Sequence, residues 1–161
     1  MPNRFRLVLD TNSLLRGLAN RDSASGRVLG LCERRQVTLL LSRPVLSEYR
    51  RVLGSPEIVR RNPDIAAADL ELVLRRLRYF SLNIGPVGAR FRFDRDPMDE
   101  KIIELPIAGS ASHIVTNDKD LLSLMSGHDD AARRFRQRLS NVCVLIPADF
   151  LKQFEASASG A

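Results

Sequence analysis

The 161-residue sequence has no tryptophan, two cysteines, two histidines and no long apolar run. Cys32 and Cys143 lie far apart and form no C-x-x-C pair, so we expect neither a disulfide framework nor a cysteine zinc site. No window approaches the roughly 18 consecutive apolar residues of a membrane span. Asp10 follows the first apolar run before a signal-peptide core could form. These absences favour a cytoplasmic protein with no membrane segment and reduced thiols.

Lysine is also scarce, because it occurs only at positions 101, 119 and 152. The net charge of +6 and the pI of about 10.1 therefore come mainly from arginine. The arginine side chain suits phosphate, which makes nucleic acid a natural partner. The same arginine richness can follow from a GC-rich genome, so the charge alone leaves both explanations open.

The composition, 44% hydrophobic and 27% charged, is typical of one folded domain. We assign residues 1–155 to this domain and residues 156–161 to a flexible tail. Short apolar runs alternate with amphipathic segments, which predicts a three-layer α/β/α sandwich around a mostly parallel sheet. The predicted strands are 5–9, 37–41, 81–84, 113–116 and 142–146. The predicted helices include 23–35, 44–53, 65–80, 96–109, 129–139 and 147–154, with a kink or early break at Pro106.

Five acidic residues fall where strands end or helices begin. Asp10 follows the first strand, Asp118 and Asp120 follow the strand at 113–116, and Glu48 and Asp99 lie early in helices. The carboxyl ends of parallel strands share one edge of a sheet, where ligands bind. We therefore expect these acids to converge, although each could instead serve only as a helix cap or a dipole partner.

Converging carboxylates repel one another unless a cation compensates them. Their hard oxygen ligands favour Mg²⁺ or Mn²⁺ over Zn²⁺. Such a cation can activate water and stabilise a leaving oxygen. In a basic chain, hydrolysis of a phosphodiester is the simplest function for this pattern. Ser13 has no evident histidine partner, which disfavours a serine hydrolase.

Four segments together resemble the PIN-domain family, and specifically the VapC-like toxins of bacterial toxin–antitoxin pairs. They are LVLDTNSLLRGL (7–18), SEYRRVL (47–53), DRDPMDEKIIELPIAGSASHIVTNDKDLLSL (94–124) and VLIPADFLKQF (144–154). The third is the most specific, whereas a strand followed by D-T-N is weak alone. The resemblance covers nearly the whole chain and implies a metal-dependent nuclease that cleaves single-stranded RNA.

The resemblance also implies roles for individual residues. The residues matching the family's acids are Asp10, Glu48, Asp99 and Asp118, which would be catalytic and metal-binding, with Asp120 as an additional metal ligand. Asn12 and Thr116 match polar residues that line the pocket. Two departures concern the third segment: Glu100 stands where the family often has an amide, and Pro106 replaces a helix former. Neither removes a core acid, so we expect a competent site.

Arginines that precede this segment are candidate RNA contacts. Arg90, Arg92 and Arg95 could bind phosphate, as could Lys119 beside Asp118, although each could equally be a solvated surface residue. By resemblance, the partners would be single-stranded RNA, a cognate antitoxin protein and a second copy in a homodimer.

Three other functions compete with the toxin hypothesis. One is a PIN nuclease in RNA processing, and another is a non-catalytic PIN scaffold that binds RNA or protein. The third is a phosphatase with an aspartate nucleophile after the first strand, which would require D-x-D. Asn12 stands at the second acidic position, which weakens this alternative.

Overall fold

The computed structural model describes residues 5–160, except for the side chain of Ala67. Its centre is a five-stranded, all-parallel sheet in the order β3-β2-β1-β4-β5, flanked by helices. This architecture is the predicted α/β fold. The strands are β1 (Arg6–Leu9), β2 (Thr38–Leu41), β3 (Leu82–Asn83), β4 (His113–Val115) and β5 (Cys143–Leu145).

The helices connect these strands and cover the sheet. Helix α7 packs across β1, β2 and β4, while α2 packs against α1 and α10. The helices are α1 (Thr11–Ala19), α2 (Ala24–Glu33), α3 (Arg43–Leu53), α4 (Pro56–Arg61), α5 (Pro63–Ala67), α6 (Leu70–Phe80), α7 (Glu100–Gly109), α8 (Lys119–Ser126), α9 (Asp130–Arg138) and α10 (Pro147–Ser159). Within the described residues, none of them combines the length and apolar character that crossing a bilayer demands.

The middle strands are apolar because both of their faces are covered. Leu7, Val8 and Leu9 of β1 are fully buried, as are Ile114 and Val115 of β4. Such continuous apolar runs are typical of a parallel strand between two helical layers. The first polar residue beyond each run consequently emerges at the carboxyl edge of the sheet.

Three predicted helix boundaries are wrong. The helix predicted at 65–80 is two helices, because the chain is extended at Ala68 and Asp69 caps the second through its side chain. The early break predicted at Pro106 does not occur, since α7 continues to Gly109 and ends at left-handed Ser110. The closing helix does not stop at 154, so residues 156–159 of the predicted tail are helical.

The two cysteines are free, as predicted. Cys32 is fully buried in the core, and burial raises the pKa of its thiol. Cys143 begins β5 and is half-buried. Both residues therefore act as packing residues in the described structure.

Candidate functional site

The acidic residues meet at the carboxyl edge of the sheet, between β1 and β4. The chain leaves β1 toward β2 on one side, while β4 pairs on the other, so this is the point where the strand order reverses. Open α/β sheets bind ligands at such a point. A pocket of about 160 Å³ lies here, and its acidic lining consists of Asp10, Glu48, Asp96, Asp99 and Asp118.

Asp10 is the most firmly held of these acids. It caps α1, where its Oδ1 accepts a 2.9 Å hydrogen bond from the backbone N–H of Ser13. Its Oδ2 accepts a 2.6 Å hydrogen bond from the Thr116 hydroxyl. Burial nevertheless raises the pKa of Asp10 above 3.8, because these two bonds only partly offset desolvation and Asp118 adds a like charge.

Thr116 does not line the pocket but positions two residues that do. It is fully buried at the end of β4, and its hydroxyl also accepts a 2.9 Å hydrogen bond from the backbone N–H of Asp118. One side chain therefore connects the acid after β1 to the acid after β4. The predicted pocket-lining role is thus a positioning role, whereas exposed Asn12 does line the pocket.

Asp96, Asp99 and Asp118 form the tightest acidic group in the described part of the chain. One carboxylate oxygen from each lies within 4.8 Å of the other two. Asp99 Oδ2 is buried and has no hydrogen-bond partner among residues 5–160. Burial, together with the charges of Asp96 and Asp118, raises the pKa of Asp99 from 3.8 to about 8. Three neighbouring carboxylates, one of which has an oxygen without a hydrogen-bond partner, fit a divalent cation.

Glu48 differs from the three aspartates because cations already compensate it. Its Oε1 accepts a 2.6 Å hydrogen bond from Arg51, one turn along α3, and its Oε2 accepts one from Lys101 of α7. Burial raises the pKa of Glu48, but the bonds from Lys101 and Arg51 outweigh it and lower the pKa below 4.5. Glu48 therefore lines the pocket as a carboxylate that is paired with both Arg51 and Lys101.

Asp120 and Lys119 lie outside the pocket. Asp120 is in the first turn of α8, where its carboxylate is 3.8 Å from the guanidinium of Arg95. Lys119 is exposed at the first position of the same helix. The structure thus brings together four of the five predicted metal ligands and places the fifth, Asp120, beside an arginine.

The candidate RNA-binding arginines lie on the segment 85–95, which leads into Asp96. Arg90 and Arg92 are each 80% exposed, and Arg92 pairs with Asp94 at 2.6 Å. Arg95 is held more firmly, because it contacts Asp129 at 2.5 Å and donates a 2.7 Å hydrogen bond to Ser123. Arg90 and Arg92 are therefore the more exposed of the three arginines, although Arg90 lies 3.9 Å from Glu104 and Arg92 is paired with Asp94.

The segment before Asp96 is anchored from both sides. Glu100 and Glu104 of α7 accept backbone hydrogen bonds from Phe93 and Phe91, at 3.0 and 3.3 Å. Arg134 of α9 donates to the Arg92 carbonyl at 3.0 Å and stacks on the Phe91 ring. Glu100, the departure from the family's usual amide, therefore faces this segment and not the acidic pocket.

Two residues at the site were missed by the sequence reasoning. Asp96 begins the helix predicted at 96–109 and was not among the predicted site residues; in the structure it caps this start, since its Oδ1 accepts a hydrogen bond from the Met98 N–H at 3.1 Å. A pair of aspartates three residues apart at a helix start was the available signal. No local pattern marks Lys101 as the partner of Glu48, because the two residues are 53 positions apart.

The comparisons with known proteins agree with this geometry. The family profile of the PIN domain matches residues 6–120. The chain belongs to the PIN-domain family. PIN domains are generally nucleases, and the matched range contains every acidic residue of the pocket.

One relative extends the similarity over nearly the whole PIN-domain chain. An uncharacterized protein of Methanocaldococcus jannaschii is 26% identical over 155 residues, which is 94% of this chain and 93% of the relative. No solved structure matches the chain significantly. Family membership therefore rests on the profile match, and the fold on the parallel sheet described above.

Proposed function

We propose that this chain is a metal-dependent endoribonuclease that hydrolyses single-stranded RNA, with Asp10, Glu48, Asp99 and Asp118 as its catalytic acids. One observation supports this most: in a PIN domain, one carboxylate oxygen of Asp99 lies within 4.8 Å of one oxygen each of Asp96 and Asp118, and Asp99 Oδ2 is buried without a hydrogen-bond partner among the described residues. Three carboxyl groups so close together, with no ion pair to a lysine or arginine among residues 5–160, disfavour one another's ionised form, and a divalent cation would relieve this cost.

The oxygen ligands fit Mg²⁺ or Mn²⁺, which Asp99 and Asp118 would hold with Asp10 beside them. When bound, such a cation lowers the pKa of water and stabilises charge on the leaving oxygen. The chain's own residues prepare this site. Thr116 orients Asp10, the Asp118 carboxylate is fixed by the Asp120 N–H at 2.8 Å, and Lys101 keeps Glu48 ionised.

RNA would enter over the exposed arginines. Arg90 and Arg92 project from the segment that leads into the acidic pocket, where they can contact phosphates on one side of the scissile bond. Lys119 is exposed at the start of α8, after β4, and is a second candidate phosphate contact. Arg95 forms ion pairs with Asp129 and Asp120, so its contribution is to fix the segment that leads into Asp96.

The direct test is cleavage of a quenched fluorescent single-stranded RNA by the purified chain. The parent protein should cleave with Mn²⁺ or Mg²⁺ and should be inactive in EDTA. Asp10→Asn and Asp118→Asn should lose cleavage while remaining folded. Asp149→Asn removes an exposed acid from α10 and should cleave like the parent. Equal cleavage by all four proteins would contradict the proposal.

We further propose the biological role that the VapC-like motifs imply: a toxin that acts on cytoplasmic RNA, restrained by a cognate antitoxin protein and able to form homodimers. Induced expression of the chain should then arrest bacterial growth, and Asp118→Asn should not. Growth arrest that the product of a neighbouring gene relieves would support a toxin–antitoxin pair. Normal growth while the cells express a protein that cleaves RNA in the purified assay would instead favour a nuclease in RNA processing.

A further inference from the structure

We infer that Asp96 is an additional ligand of the divalent cation, acting together with Asp99 and Asp118. This inference deepens the proposed function and rests on it. The site predicted from the sequence contained Asp99 and Asp118 but not Asp96, which begins the helix predicted at 96–109. In the structure, Asp96 belongs to the only group of three acids in the described residues that could hold a metal ion.

Local backbone geometry explains why Asp96 and Asp99 act together. Asp96 caps a 3₁₀ turn that runs from Pro97 to Asp99. Side chains three residues apart in a 3₁₀ turn project in nearly the same direction. Pro97 fits the first position of this turn, because it needs no hydrogen-bond donor there. Both carboxylates consequently lie on one side of the turn and face Asp118.

The cation requirement of the pocket is concentrated on these three residues. Arg51 and Lys101 already compensate Glu48, and each oxygen of Asp10 accepts a hydrogen bond within the protein. In contrast, among residues 5–160 no lysine or arginine forms an ion pair with Asp96, Asp99 or Asp118.

The Asp96 carboxylate has one oxygen that can serve as a metal ligand. Its Oδ1 accepts the hydrogen bond that caps the turn, and within the described residues its Oδ2 accepts none. Asp96 can therefore keep its structural role and bind a cation at the same time. An asparagine at this position would also keep the cap, since its side-chain oxygen is an equally good acceptor.

The test compares Mn²⁺ binding by the parent, Asp96→Asn and the matched control Asp94→Asn. Asp94 lies in the same segment, but its side chain is 74% exposed and paired with Arg92. Binding is measured in the absence of RNA by the loss of the free Mn²⁺ electron paramagnetic resonance signal and by calorimetry. We expect affinity to fall roughly tenfold or more in Asp96→Asn, at least the loss typical of outer-shell changes, and to remain within about twofold in Asp94→Asn.

The outcomes separate this inference from the proposed function. If the parent binds Mn²⁺ and Asp96→Asn binds it equally well, the ligand role of Asp96 is wrong while the metal site stands. If the parent does not bind Mn²⁺, the metal-dependent function is wrong, and the inference falls with it. Circular dichroism of each variant identifies a loss of binding that comes only from unfolding.

Discussion

Replacing Asp99 with asparagine should stabilise the metal-free protein, although it should destroy the metal site. The substitution keeps the size of the side chain and removes its charge. Asp99 makes no side-chain capping bond to α7, so the amide sacrifices no such contact. The carboxyl group it replaces is half-buried beside Asp96 and Asp118, and burial and these two charges disfavour its ionised form.

The expected gain follows from the spacing of the carboxylates. Two unit charges 4.8 Å apart repel by about 3–4 kcal/mol at an effective dielectric constant of 20, and by about 1 kcal/mol in water. Because Asp99 is partly exposed, solvent screening places the gain near the lower limit, at about 1–2 kcal/mol. In a domain of this size, that corresponds to a rise in Tm of roughly 2–8 °C.

The gain should depend on pH in a defined direction. The pKa of Asp99 is raised from 3.8 to about 8 in the folded protein, so the folded state retains a proton that the unfolded chain has lost. The stability this proton provides is complete below about pH 4 and is lost as the pH rises to about 8. The difference between Asp99→Asn and the parent should therefore be absent at low pH, grow across this window and then level off.

Thermal unfolding followed by circular dichroism in EDTA, at about pH 4, 6, 8 and 9, measures this difference. Asp94→Asn serves as the control for loss of an exposed acid, and it should show no such pH-dependent gain. Adding Mn²⁺ should raise the Tm of the parent much more than that of Asp99→Asn. A variant less stable than the parent at pH 8, or a difference independent of pH, would refute the reasoning.

Three further predictions concern the residues around the acids. Thr116→Val should lose roughly 2–3 kcal/mol of stability and most RNA cleavage, because the Asp10 carboxylate and the Asp118 N–H each lose a hydrogen-bond partner. Thr116→Ser keeps the hydroxyl and should retain cleavage. Equal cleavage by the two variants would contradict this prediction. Tyr49→Phe should lower the free energy of unfolding by about 1–3 kcal/mol in denaturant titrations, because the buried 2.5 Å hydrogen bond to the Leu9 carbonyl is lost. Arg90→Ala and Arg92→Ala should each reduce the salt dependence of RNA binding by about 0.7 in the log–log slope, and unchanged slopes would exclude phosphate contacts.

The sequence was sufficient to predict the parallel sheet because its signals are local and strong. Each middle strand is a continuous apolar run, and a polar or acidic residue follows it at once. The placement of Asp10 and Asp118 follows from that pattern alone, since both leave neighbouring strands at the same edge. Both residues lie at this edge in the structure, where they line the acidic pocket.

Two of the errors differ in cause: the first is local, and the second depends on packing against residues distant in sequence. The helix predicted at 65–80 has an uninterrupted apolar periodicity, yet Asp69 begins a new helix inside it. Pro106 fits within α7 because the helix remains packed across three strands of the sheet. Periodicity and residue preference carry no information about such packing.

The same limit applies inside the site. The spacing of Glu48 gives no sign that Lys101 and Arg51 compensate its charge. Asp120 matches the family's additional acid, but its neighbour in space is Arg95, which also engages Asp129. The sequence therefore predicts four of the five acids that line the pocket and misses Asp96, whereas the structure distinguishes the acids already paired from those available to a cation.

The most direct test of the central claim is an anomalous difference map from crystals of the protein grown with Mn²⁺. We predict a peak in the pocket between β1 and α7, with carboxylate oxygens of Asp96, Asp99 and Asp118 at about 2.0–2.6 Å from the ion, the range of oxygen ligands around hard divalent cations. A pocket without a peak in crystals that hold Mn²⁺ elsewhere, or a peak whose coordination shell lacks Asp99, would contradict the account.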